Sequence, residues 1–271
     1  MERKLVKSGI PGLDDILGGG FLEGSIMTVG GRTGSGRSTF ALQFLYNGAM
    51  KYDEPGLYIS IEESKQDFLF HMSGCNWDLE TAEKASKLLF LDYPIYEVDQ
   101  ILTQYGAIQE IINSTGIKRV VIDSVMPIAL FFPDEEERKK GFLKLIDNIR
   151  KWGTTTMMVA EDTKSAERST LPSTTFGIES FTDGWINIYF HYDPEKEERA
   201  RAVEVIKMKG ICHSTKAYPA EMDENGFRIH YTGKPRAPAK KAAAPKAAPP
   251  KKAPVVRKRT LGARKIVRKP K

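Results

Sequence analysis

The glycine-rich run Gly31, Arg32, Thr33, Gly34, Ser35, Gly36, Arg37, Ser38 constrains the fold of this chain more than any other feature. It has the spacing G-x-x-x-x-G-K-[ST] of a phosphate-binding P-loop, with arginine at the lysine position. Residues 24–30 before it read as a short buried strand, and residues 39–46 after it carry apolar residues at helical spacing. In that strand–loop–helix setting the glycines let successive N–H groups turn inward around an anion, and the helix start adds unpaired donors and the positive end of its dipole. Arg37 then offers a cation to the terminal phosphates and Ser38 a hydroxyl to a bound magnesium ion, while Thr39 completes the nucleotide-binding stretch. Ordinary turn chemistry is the plain alternative for such a run taken alone.

Charge divides the chain in two. Residues 234–271 hold 15 of the 41 lysines and arginines and none of the 35 acids, so residues 1–233 carry 26 basic against 35 acidic side chains. The expectation is a folded body over 1–233 and a disordered, basic Lys/Arg/Ala/Pro-rich tail over 234–271, whose composition offers too little apolar surface to offset ordering entropy. Two cysteines, Cys75 and Cys212, are too few for a disulfide framework and stand in no metal-ligand cluster. A cytoplasmic, reducing location is expected, with no secretion signal in residues 1–9 and no apolar run long enough to span a bilayer.

Along the body, strand patterns at 56–61, 88–92, 118–124 and 154–161 alternate with helical ones from 65, at 99–114 and at 135–152. That alternation points to an α/β fold with a mostly parallel central sheet and helices on both faces. From Thr182 the pattern changes to strand runs at 185–192, 200–209 and 226–230, expected as hairpin-linked C-terminal antiparallel strands. Ligands of an open parallel sheet bind beyond the carboxyl ends of its strands. The P-loop, Glu62, Glu63, Asp123 and Glu161 all fall at such ends. Asp123 suits the acid that holds magnesium in P-loop enzymes; a helix cap or turn is the other reading. Glu62 and Glu63 could polarise a water attacking a γ-phosphate, or form a solvated turn capping the next helix.

Five segments resemble the KaiC and RadA/RecA-like ATPases. Ser8 to Phe21, with Gly9-Ile10-Pro11-Gly12-Leu13-Asp14 and Leu17-Gly18-Gly19-Gly20, is similar to the lead-in of that family's P-loop strand. Tyr58-Ile59-Ser60-Ile61-Glu62-Glu63, with Trp77-Asp78-Leu79 after it, resembles the segment bearing paired catalytic glutamates. Val121-Ile122-Asp123-Ser124 resembles the Walker B strand, Glu179 to Ile186 the E-x-x-x-D-G stretch, and Lys207-Met208-Lys209-Gly210 the strand whose basic residues reach the neighbouring subunit. The resemblance covers residues 8–232, with one copy of the domain. It implies a RecA-like P-loop NTPase core, ATP and Mg2+ bound between subunits, a homo-oligomeric ring usually of six, and catalytic roles for Glu62, Glu63, Lys207 and Lys209. Ser38 and Asp123 are the implied metal residues.

Two positions depart from the family pattern: Arg37 replaces lysine and Lys209 replaces arginine. A planar guanidinium cannot take a compact ammonium's place between two phosphates without rearrangement, so nucleotide binding with slow or absent hydrolysis is expected. Lys207 and Lys209 also read as solvent-facing lysines on an edge strand. The tail has no aromatic residue for base stacking, which leaves salt-dependent binding to nucleic acid or another polyanion, or folding back on the acidic body. Two functions remain in view. One is a ring-forming ATPase; the other is a non-hydrolysing, nucleotide-sensing scaffold that acts through a regulatory protein partner.

Overall fold

In this computed structural model residues 4–162 and 171–233 are described. The chain opens with β1 (Leu5–Val6), α1 (Leu13–Leu17) and β2 (Phe21–Leu22), and β1 and β2 pair antiparallel. β3 (Ile26–Gly31) leads through the glycine-rich loop into α2 (Arg37–Tyr52). There follow β4 (Gly56–Ser60), α3 (Lys65–His71), α4 (Leu79–Lys84) and β5 (Leu88–Asp92), then α5 (Val98–Thr103), α6 (Tyr105–Thr115) and β6 (Arg119–Asp123). The last helices are α7 (Val125–Phe131) and α8 (Glu135–Trp152), before β7 (Thr155–Glu161), β8 (Gly184–Asp193), β9 (Glu198–Met208), β10 (Tyr218–Asp223) and β11 (Gly226–Ile229).

Among the described residues, nine strands form one sheet in the order β11-β10-β9-β8-β3-β7-β6-β4-β5. Side chains alternate between its faces, as the period of a strand requires. Met27, Val29, Val121, Met157 and Val159 enter one core with α2 and α4. Their neighbours Ile26, Val120, Ile122, Met158 and Ala160 enter the other with α5 to α8. Both faces are covered, which is why the parallel strands read as continuous apolar runs. α8 shows how sequence sets an element. Asp134 caps it by accepting from the Glu137 amide, acids fill its first turn, Arg150 and Lys151 its last, and Gly153 ends it in the left-handed region.

The α/β class holds, with three adjustments. β8 lies parallel to β3, so antiparallel pairing begins one strand later, with β9. Strand direction depends on the connection, which local pattern does not report. The helical run at 99–114 breaks at Gln104 into α5 and α6. β10 was not among the expected strands; its Pro219 lies opposite Ala202 of β9. No helix among the described residues is long and apolar enough to cross a membrane. The basic tail, 234–271, lies outside the described residues.

Candidate functional site

The parallel strands end at one edge of the sheet: Gly31 and Glu161 pair there, and Ser60 and Asp123 pair two residues earlier in the register. β3 delivers the loop to that edge. Gly31 has no room for a side chain: a Cβ there would lie 2.6 Å from the Ser35 hydroxyl and 2.7 Å from the Ile188 carbonyl. Gly36 adopts φ +96°, which glycine alone takes without strain, and its turn starts α2 with no side-chain cap. The first amides of α2, on Arg37, Ser38 and Thr39, therefore keep the free donors of an uncapped helix start. Two side-chain atoms reinforce the point. Ser35 Oγ and Arg37 Nη1 are buried without a hydrogen-bond partner. Leaving a buried donor unpaired is costly, by about 1–3 kcal/mol, and an anionic ligand in the loop would pair both. Phosphate fits the residues present.

Ser38 and Asp123 meet. The Asp123 carboxylate is hydrogen-bonded to the Ser38 hydroxyl and accepts from the Tyr58 phenol. Burial pushes its pKa above the usual carboxylate range; Ser38 and Tyr58 oppose this, Glu62 adds to it and Arg37 opposes it. Burial and the Asp123 charge likewise push the Tyr58 phenol well up. A buried carboxylate held up by desolvation beside a hydroxyl is a donor set suited to a hard divalent cation such as Mg2+. The capping alternative for Asp123 is not what the structure has, since Ser124 caps α7 by accepting from the Met126 amide at 3.2 Å.

Glu62 and Glu63 diverge. Glu62 accepts a hydrogen bond from Ser124 Oγ, next to Asp123. Glu63 turns to His71 on α3, at 2.8 Å. Neither caps α3; Ser64 does. Thr33 donates to Glu161 at 2.6 Å, and with Arg32, Asp162, Phe190 and Arg199 these two line a cleft of about 450 Å3 on the loop's outer side.

Lys207 and Lys209 are elsewhere. Lys207 pairs with Trp185 and Met208 with Gly184, and Gly184 lies beside Met27 near the start of β3. They occupy the opposite edge of the sheet from the loop, and within one chain the fold does not bring them to it. Lys207 Nζ donates to the Glu179 carbonyl at 2.9 Å, and Lys209 sits 3.3 Å from Asp183. Burial, helped by the charge of Lys209, lowers the pKa of Lys207.

Sequence reading missed Tyr58, Ser124 and the β8–β9 residues at the loop. Tyr58 carried a faint signal, because it alternates with Ser60 on the strand that precedes Glu62.

Comparison with known proteins agrees with this geometry. Residues 6–234 match the family model "ATPase: KaiC". The circadian clock oscillator protein KaiC of Parathermosynechococcus lividus is 31% identical over 234 residues, which are 84% of this chain and 42% of that protein. Its counterpart in Thermosynechococcus vestitus is 31% identical over 242 residues, 87% of this chain and 46% of that one. This chain thus spans less than half the length of the curated relatives it matches. Among solved structures, a KaiC-like protein from the hyperthermophilic archaea Pyrococcus horikoshii superposes with a TM-score of 0.73 at 35% identity, covering 85% of this chain and 100% of that one.

Proposed function

The chain belongs to the KaiC family of ATPases, and from that premise we propose that it binds ATP at residues 31–39 and turns it over slowly. The observation that carries this reading is the buried, unpartnered Arg37 Nη1 at the uncapped start of α2. It is a cation waiting for an anion, but one with the wrong shape for fast chemistry. A guanidinium binds phosphate through a planar fork, whereas the motif's lysine is a compact point charge. Ser38 and Asp123 are the residues that would hold Mg2+. That ion, when bound, neutralises charge building on the phosphates. Glu62 is the better placed of the two glutamates to polarise a water, because it lies beside Asp123 and Ser124 while Glu63 is held by His71.

Copies of the chain assemble head to tail into a ring, six being the family's usual number. Lys207 and Lys209 of one subunit then reach the nucleotide of the next, which is the only route by which they join the loop. The folded unit runs over 1–233, and the basic segment 234–271 engages polyanions, nucleic acid first among them, with strong salt dependence. The pairing of Glu63 with His71 and the shape of Arg37 favour a second reading, in which ATP stabilises the ring and a protein partner reads its state without turnover.

Native mass with and without ATP and Mg2+, beside phosphate release with and without DNA, separates the two. Assembly without release selects the scaffold, and DNA-stimulated release selects the ATPase. Turnover of about 1 per second or more, typical of competent enzymes, defeats the claim of slow hydrolysis. Arg37→Lys is expected to raise turnover.

A further inference from the structure

The outer side of the phosphate loop is held from β9. Arg201 donates from Nε to the Ser35 carbonyl at 3.0 Å and from Nη2 to the Gly34 carbonyl at 3.2 Å. Its guanidinium lies over the Phe190 ring, 4.5 Å from the centroid. Phe190 and Arg201 are directly opposed across β8 and β9, so their side chains stand on one face as a cross-strand pair. The same ring backs the loop: a Cβ on Gly34 would be 3.5 Å from it. Because β8 and β9 run past the end of β3, this pair overhangs the loop.

A loop that turns its N–H groups inward must turn carbonyls outward, and outward carbonyls need donors. Arg201 supplies two to successive residues in one rigid fork. A trans peptide carries its N–H opposite its C=O, so anchoring the Ser35 carbonyl aims the Gly36 amide away from Arg201, toward the cradle side. The Ser35 amide is already used within the turn, donating to the Arg32 carbonyl at 3.0 Å. Arg201 therefore orders the peptide leading into α2, the one whose amide continues the row of donors on Arg37 and Ser38.

We propose that Arg201, seated on Phe190, is a positioning residue that presets the phosphate loop for polyphosphate. It touches no phosphate itself. It acts by fixing backbone direction before the ligand arrives, which spares the ligand the ordering of the loop. This rests on reading residues 31–39 as the phosphate site.

Calorimetric titration of the full chain tests it with two probes, ATP with Mg2+ and inorganic tripolyphosphate, which engages the loop without a nucleoside. Arg201→Met keeps the stem against Phe190 and removes every donor. It is expected to weaken both probes about tenfold, roughly 1.4 kcal/mol. Arg201→Lys, with one charged donor restored, should recover part of that loss. Phe190→Leu leaves the donors but removes the ring, and should weaken both probes about threefold. Arg201→Met binding tripolyphosphate as tightly as wild type overturns the proposal, as does equal loss in the Met and Lys variants, which would assign the effect to packing. If Arg201→Met does not fold, unchanged affinity in Phe190→Leu overturns it. A wild-type chain that takes up neither probe defeats the phosphate-site reading itself, and the positioning role with it.

Discussion

The two edges of the parallel sheet are built from similar residues in opposite states. At the carboxyl ends of the strands, Arg37 Nη1 and Ser35 Oγ are buried with no partner, α2 starts uncapped, and the Asp123 carboxyl is pushed up by burial. At the other edge, Asp183 accepts two bonds from Arg150 at 3.0 and 2.8 Å, another from the Ile26 amide at 3.1 Å, and faces Lys209 at 3.3 Å. Lys207 is taken up by the Glu179 carbonyl. The first edge leaves polar groups unsatisfied and the second closes its own network. Unsatisfied groups that a fold tolerates mark where a ligand completes it, while a closed network holds elements together. Motif reading put both edges in the site, yet within a single chain the ammonium groups of Lys207 and Lys209 are partnered while Arg37 Nη1 is not.

The largest expected effect is at Arg37. Arg37→Ala should lower ATP affinity by about 10- to 100-fold, the value of a charged hydrogen bond of about 1.5–3 kcal/mol. Without nucleotide the same variant should melt at or above the wild-type temperature, because it removes a buried donor that had no partner. Calorimetric titration beside a thermal scan checks both. A drop in melting temperature with unchanged affinity would reverse the contrast between the edges.

Asp183→Asn should act in the opposite sense. It loses the bidentate Arg150 pair and is expected to destabilise the chain by about 1–2 kcal/mol while leaving ATP affinity within about twofold. Burial raises the Asp183 carboxyl, but the Arg150 bonds and then the Ile26 amide outweigh it, so its pKa is lowered. A carboxyl lowered on folding adds stability above its unfolded pKa and loses it as pH falls through the folded one. Wild type should therefore lose melting temperature between about pH 4 and more acidic values, and Asp183→Asn should flatten that limb. Scans across this range decide it; an unchanged slope removes Asp183 as the clamp.

Lys207→Ala should change stability least, within about 0.5 kcal/mol, since one partly exposed lysine is removed from a single carbonyl. In assembled protein, however, ATP turnover should fall. A Lys207→Ala assembly that hydrolyses like wild type confines the lysines to their own edge and breaks the trans role.

Much of this fold was legible without coordinates. The apolar runs at 88–92 and 118–124, the glycine spacing at 31–36 and the helical pattern at 135–152 are local signals, because period and turn chemistry are local. The pairing of Ser38 with Asp123 was also readable, since the loop leading to Ser38 leaves one strand end, Asp123 closes another, and parallel strands share one edge. The division between Glu62 and Glu63 was not. It turns on Ser124 and His71, which only packing brings to them. The capping readings failed for a related reason: serine at positions 64 and 124 competed for those helix starts, and one residue's shift reassigns a cap.

By itself, the sequence determined that a phosphate loop lies between a buried strand and a helix, and that acids gather at the matching strand ends. It also determined that Arg37 stands where lysine is usual. Tertiary structure alone decided that β8 joins the sheet in parallel beside β3, that Lys207 and Lys209, at and just past the end of β9, lie at the far edge, and that Arg201 and Phe190 grip the loop from outside. Those are contacts between residues distant in sequence, set by strand direction and register. A chain encodes its own periodicity locally, but which strand becomes its neighbour is chosen only when the whole core closes.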